Sequence, residues 1–235
     1  NPNYRGVPYP CEGEADDEAK GLLKDCGKPT PFVDKMVSVI EKEGTSVATK
    51  FTELLLKEVR SMRQGDPKSE DTEIGSVISM QHLEKVESYV ELAKQEGGTI
   101  LTGGKRPSFS NEEMNHGAFL EPTVIGGLDI NSRTATEEIF GPVVTLHTFE
   151  NQEQAIEMAN STEYGLAGSV WTKDLARGRQ FSKQIETGIM WVNTWLHRDL
   201  RTPFGGVKNS GVGREGGQWS LSFFSEMTNI CVKHD

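Results

Sequence analysis

The most reactive-looking stretch of the chain runs from Trp191 to Gly206 (WVNTWLHRDLRTPFGG), where Trp195, His197, Arg198, Arg201 and Phe204 follow one another closely. A guanidinium presents a planar fork of donors that grips a carboxylate through two parallel hydrogen bonds. Arg198 or Arg201 is therefore a candidate clamp for a small carboxylate ligand, and the plainer alternative is a surface ion pair with Asp199 or a neighbour. Glu137 and Glu138, just ahead of Ile139-Phe140-Gly141-Pro142, form a second candidate, against a charged loop at the entrance to a strand. Residues 211–216 spell a literal GxGxxG. A dinucleotide-binding loop, however, directly follows a strand within a βαβ unit and has an acidic residue ~20 positions further on. Here the glycines follow TPFGGVKNS, itself loop-like, and position 231 is Cys, so the motif reads as a glycine-bent connection. His82, His116, His147, His197 and His234 are scattered, with neither HxxxH nor CxxC spacing, and no metal site is expected. GxxxxGK[ST] and GxSxG are both absent.

The elements that must position these residues are legible as periodicities. Phe32, Met36, Val37 and Ile40 recur at helical spacing and predict a helix within 32–46, closed by Gly44. Val47, Phe51, Leu54, Leu55, Val59 and Met62 form one apolar face of a second helix, stopped by Gln64-Gly65-Asp66-Pro67. Ser79 is placed to cap a third, with Leu83, Val86, Val90 and Ala93 on one side and Gly97-Gly98 at its end. Short extended pieces follow at 99–102 and 118–125. From Pro142 the pattern is strand 142–149, helix 151–160, strand 167–172, helix 173–185 and strand 188–193. Strands separated by helical crossovers predict an α/β fold with a parallel βαβαβ sheet flanked by helices, whose ligands sit at the carboxyl ends of the strands. Those ends fall near Phe149, Thr172 and Asn193.

Composition narrows the classes. A length of 235 residues suits one large domain or two small ones. The net charge of −10 gives no broad phosphate-binding field, which argues against nucleic acid as a partner. No apolar run approaches the ~20 residues of a membrane span, so a soluble chain is expected. Residues 1–31 form an acidic, Pro-rich arm that bears Cys11 and Cys26. These two thiols either form a disulfide, worth about 3 kcal/mol if unstrained, or remain free in a cytosolic arm. A disulfide implies an oxidising compartment and secretion. The start at Asn1 fits a removed signal peptide, another processing event or an incomplete record.

Taken together, TEEIFGPVV (136–144), NSTEYGLAGSVWT (160–172), GIMWVNTW (188–195) and TPFGGVKNSGVGREGG (202–217) resemble the carboxyl-terminal half of the aldehyde dehydrogenase superfamily. QGDP (64–67), GSVIS (75–79) and FLEPTVI (119–125) extend the likeness in the same order, from about residue 47 to the end. NTWLHRDLRTPFGG is similar to the branch that oxidises 2-hydroxymuconate and 2-aminomuconate semialdehydes. The resemblance divides the chain into the arm (1–31), a helix of uncertain origin (32–46), a catalytic-domain-like part (47–217) and a terminal strand segment (218–235). It implies NAD as cofactor, a cytoplasmic location, and nicotinamide and ribose contacts from Glu138 and Phe140. It also implies an aldehyde tunnel lined by Trp195, His197, Arg198 and Phe204, with Arg198 on the substrate carboxylate. The last strand, Phe223 to Lys233, is implied to join subunits into a homo-oligomer or heteromer.

Several family parts are missing. The chemistry that the resemblance implies needs a Cys nucleophile in a GQxC motif, whose family spacing lands near Lys35, and a general base in an ELGGK segment. Neither motif occurs, and a family chain is about twice this long. No catalytic residue is therefore assigned, and weak or absent NAD binding is expected of this chain alone. Two functions stay open: a semialdehyde dehydrogenase whose remaining parts lie elsewhere, and a non-catalytic binding or structural module derived from one.

Overall fold

The computed structural model describes residues 36–41 and 45–234, with side-chain detail from residue 48 onward. Cys11, Cys26 and the acidic arm lie outside the described residues.

On helix α1 (Thr45–Ser61) Val59 is buried and Phe51, Leu54 and Leu55 of the expected apolar face are half-buried. Helix α2 (Met80–Gln95) begins where Ser79 Oγ accepts from the His82 amide at 3.1 Å. That bond satisfies one of the donors a helix start leaves unpaired. It ends where Gly97 turns left-handed (φ 87°) and the Gly98 amide reaches back to the Ala93 carbonyl at 2.8 Å. Between these caps Leu83, Val86, Val90 and Ala93 are all buried, as the spacing predicts. They form the core with Ala118, Leu120, Ile125, Leu128 and Ile139.

Ile125 belongs to a four-stranded sheet of order β1-β4-β3-β2, built from β1 (Met36–Glu41), β2 (Thr99–Thr102), β3 (Thr123–Gly126) and β4 (Val143–Phe149). Strands β1 and β3 both run parallel to β4, and β2 closes the edge antiparallel to β3. All four residues of β3 are buried, as suits an interior strand whose sequence is an apolar run.

Two expectations need correction. The helix predicted within 32–46 is overturned by β1, whose Met36 to Glu41 pair with Val144 to Phe149. The β-branched Val37, Val39 and Ile40 favour strand, and a complete ladder against β4 outweighs a helical spacing of four apolar residues. The α/β class stands, with parallel strands flanked by helices, but the strands after Pro142 do not share one sheet. After α5 (Gln152–Asn160), strands β6 (Ala167–Val170) and β7 (Ile189–Val192) pair in parallel with each other, across α6 (Leu175–Ser182), in a sheet separate from that of β4. The terminal segment, whose expected strand pairs with another subunit, is in the single chain helix α7 (Gly217–Phe223) followed by residues 224–234 without regular secondary structure.

The remaining elements are brief: α3 (Glu112–Asn115), α4 (Arg133–Thr136), and an antiparallel pair of β5 (Tyr164–Gly165) with β8 (Val207–Lys208).

Candidate functional site

The stretch 137–140 runs from α4 towards β4, anchored by Ile139, which is buried in the core against α2. Glu137 turns away to accept from Arg133, Nε at 2.6 Å and Nη2 at 3.0 Å, and from the Tyr89 hydroxyl at 2.6 Å. The Arg133 hydrogen bond, then that of Tyr89, holds its carboxyl down to about 2. Glu137 is thus a brace. Glu138 is half-buried, and its carbonyl accepts from Lys85 Nζ at 3.2 Å.

Phe140 sits in the left-handed region (φ 59°), uncommon for a residue with a bulky side chain. Its carbonyl accepts from His82 Nε2 at 2.5 Å, and the two rings meet edge to face at 6.0 Å. His82 and Lys85, three apart on α2, therefore hold the carbonyls of Phe140 and Glu138. With its backbone held this way, the Phe140 ring is 42% exposed. An exposed ring on a fixed backbone beside a half-buried carboxylate suits one end of a flat aromatic cofactor. The sequence signal for His82 and Lys85 is faint: they flank the apolar stripe of α2 and match no motif.

The second group is organised by the end of β7. Asn193 leaves the strand at φ 54°, while its side chain accepts from the Thr172 amide and donates to the Thr172 carbonyl, each at 2.8 Å. It thereby ties the ends of β6 and β7 together. Leu196 is also left-handed (φ 52°), and the loop winds back so that the buried Trp191 donates Nε1–H to the His197 carbonyl at 2.9 Å. Trp195 packs on Trp191 with ring centroids 5.0 Å apart. The His197 side chain is exposed.

Geometry separates the two arginines. Arg201 is engaged by Asp199, whose carboxylate accepts from Nε at 2.9 Å and from Nη2 at 2.5 Å, and those bonds hold the Asp199 carboxyl down to about 2. Arg201 is thus the surface ion pair. Arg198 instead lies over Phe204, its Cζ 4.0 Å from the ring centroid, and donates from Nη2 to Glu215 Oε1 at 2.8 Å. Phe204 and Glu215 exchange backbone hydrogen bonds of 2.9 and 2.8 Å, which bring the two sides of the glycine-rich loop together.

Residues 211–216 do precede α7, yet among the described residues no strand leads directly into them and none follows that helix, so they do not sit in a βαβ unit there. Arg214 donates to the Gly206 and Gly213 carbonyls and folds the loop on itself. Gly188 admits no side chain, because a Cβ there would overlap the Gly205 carbonyl. The start of β7 and the Phe204-Gly205-Gly206 turn consequently meet backbone to backbone.

Glu138 and Phe140 are therefore held by α2, and Trp195, His197, Arg198 and Phe204 by β7 and the glycine-rich loop. Glu215, the carboxylate on Arg198, escaped the sequence reading because it lies inside a GxGxxG whose glycines drew the attention. Among the described residues no group of three or more His, Cys, Asp and Glu is arranged to hold a metal. No helix among them is long and apolar enough to cross a membrane.

Comparison with known proteins matches this architecture. The aldehyde dehydrogenase family profile covers residues 43–230. The 2-aminomuconic 6-semialdehyde dehydrogenase of a Pseudomonas species is 48% identical over 79% of this chain and 38% of its own length. The 2-hydroxymuconic semialdehyde dehydrogenase of Pseudomonas sp. strain CF600 is 46% identical over 78% of the chain and 37% of its own. In three dimensions a betaine aldehyde dehydrogenase of Staphylococcus aureus, crystallised with NAD+, superposes with a TM-score of 0.76 at 37% identity, covering 89% of this chain and 40% of that one. The chain thus spans about two fifths of the length of these relatives. With the profile covering most of its length, the chain belongs to the aldehyde dehydrogenase family.

Proposed function

We propose that this chain carries the substrate-side pocket of an NAD-dependent dehydrogenase for semialdehydes that bear a carboxylate. The observation that carries this reading is Arg198, stacked on Phe204 at the end of β7 with much of its donor fork unused. The muconic semialdehyde dehydrogenases to which the chain is similar support it. In this reading Arg198 anchors the carboxylate and Trp195 and Phe204 flank the carbon chain. Glu138 and Phe140 lie where the nicotinamide and its ribose would rest. Bound NAD would supply the hydride acceptor.

The chain by itself is proposed not to turn aldehydes over, because it has neither GQxC nor ELGGK. Loss of a nucleophile that acts as part of a unit costs several orders of magnitude in rate. NAD is proposed to bind weakly, since Glu138 and Phe140 serve only one end of it. The same missing motifs favour a second reading, a binding module that retains the pocket without the reaction. NADH formation with 2-hydroxymuconate semialdehyde, alongside calorimetric titration of NAD and of a carboxylate ligand, tests both readings. Turnover in the ordinary range of ~1–10³ s⁻¹ overturns the inactive reading. Carboxylate binding that is lost in Arg198→Gln, without turnover, supports the binding module. We also propose that the chain self-associates through the apolar residues of the last turn of α7 and those that follow it.

A further inference from the structure

We propose that Glu215 is a built-in occupant of the Arg198 site, and that a ligand carboxylate binds by displacing it, which makes Glu215 a specificity-determining residue of the pocket. This rests on the reading of Arg198 as the carboxylate anchor.

Three features of the geometry support the exchange. First, the pair is single, Nη2 to Oε1 at 2.8 Å, whereas Arg201 meets Asp199 through both Nε and Nη2. A ligand carboxylate that takes two donors of the guanidinium gains one charge-assisted hydrogen bond more than Glu215 makes. Second, the side chains of Arg198 and Glu215 are 41% and 62% exposed, so a released Glu215 carboxylate returns to water at little cost, as exposed pairs generally do. Third, the Glu215 backbone cannot drift, because it exchanges both of its hydrogen bonds with Phe204, the ring on which Arg198 lies. The displaced carboxylate therefore stays within reach and competes at a high effective concentration.

The consequence is selectivity. An uncharged aldehyde cannot replace Glu215, and a spherical anion such as chloride offers no second acceptor to outbid it. A carboxylate of matching planarity does both. Arg198 itself is held in place by Phe204, so displacement moves one flexible acidic side chain and leaves the guanidinium where it was.

The test is an NMR titration of the full chain with hexanoate and with its uncharged analogue hexanamide. It follows the Trp indole N–H signals and the Glu215 side-chain carboxyl carbon, the latter assigned from its loss in Glu215→Gln. Hexanoate is expected to shift the Glu215 carboxyl signal, and hexanamide to leave it unmoved. In Glu215→Gln hexanoate should bind tighter by up to about 5-fold, the upper end of what an exposed ion pair commands. Its preference over chloride should fall. Arg198→Gln should abolish hexanoate binding in either background. Glu215→Asp, whose shorter side chain retracts from Nη2, should shift affinity in the same direction and serves if Glu215→Gln does not fold. Hexanoate binding that depends on Arg198 but is unchanged or weaker in the Glu215 variants, with a silent Glu215 carboxyl, overturns the proposal and leaves the anchor reading intact. Hexanoate affinity that does not change in Arg198→Gln, or no binding in any variant, overturns the anchor reading itself.

Discussion

Asn193 leaves β7 with φ at 54°, a conformation in which most side chains crowd their own backbone and Asn and Gly do not. Its amide also satisfies both backbone groups of Thr172, so conformation and hydrogen bonding act at one position. Asn193→Ala loses both and should cost about 2–3 kcal/mol. Asn193→Gly recovers the backbone freedom and should cost about 1–2 kcal/mol. Urea unfolding of the two variants against the parent separates these contributions. Glu137 invites a different measurement. Its carboxyl, ordinarily at 4.5, is held down to about 2 by Arg133 and Tyr89, so the folded chain keeps it ionised where the unfolded chain would protonate it. The stabilisation is therefore complete above the ordinary value and is lost as pH falls from 4.5 towards 2. Because the side chain is 38% exposed, solvent screening limits the effect at neutral pH to about 1 kcal/mol. For a chain of this size that is a Tm lower by about 2–4 °C in Glu137→Gln. The gap should be constant above pH 5 and close below 4.5; a gap independent of pH would contradict the brace.

At the scale of elements, α2 holds two jobs on adjoining faces. Its apolar stripe builds the core, while His82 and Lys85 beside it fix the strained approach to β4 through backbone carbonyls. Leu83→Ala removes a fully buried side chain from the centre of that stripe and should cost about 2–5 kcal/mol by chemical denaturation. Through the shared packing with Ile139 it should also loosen Phe140, visible as faster amide exchange at residues 139–141. The stripe of α2 was legible because capping and period are local properties: Ser79, the four buried positions and Gly97-Gly98 all lie within one stretch of chain. The sheets were less legible, since pairing joins residues far apart in sequence. Nothing within Met36 to Glu41 says that β4 lies alongside, and nothing in 142–193 says that β4 belongs to a different sheet from β6 and β7. For the site, the residue types in the Trp191 to Gly206 segment were readable, and the family resemblance singled out Arg198, whereas the residues alone left Arg198 and Arg201 even. The choice between them depends on Glu215 and Phe204, which fold back onto Arg198 only in three dimensions.

On the scale of the whole molecule, the three sheets and their helices leave the segment after Ser220 uncovered. Leu221, Phe223, Phe224, Met227, Ile230 and Val232 are all exposed within one short segment, whereas large apolar side chains elsewhere are exposed mostly one at a time. Contiguous apolar surface of this kind marks an interaction site. The segment is rich in residues that suit a strand and among the described residues pairs with no strand, so under the self-association proposed above a second copy offering an edge or an equivalent apolar face is the expected partner. Light scattering on purified chain should therefore give a dimer or larger assembly at micromolar concentration. The double variant Phe223→Ser, Phe224→Ser should shift that assembly to monomer while leaving the far-UV circular dichroism of the helices unchanged. Cys231 lies inside the segment and is exposed in the single chain, which makes it a reporter. Its alkylation by iodoacetamide should slow as protein concentration rises in the parent and show no such dependence in the double variant. A parent chain that stays monomeric, with Cys231 equally reactive at all concentrations, would rule out this interface.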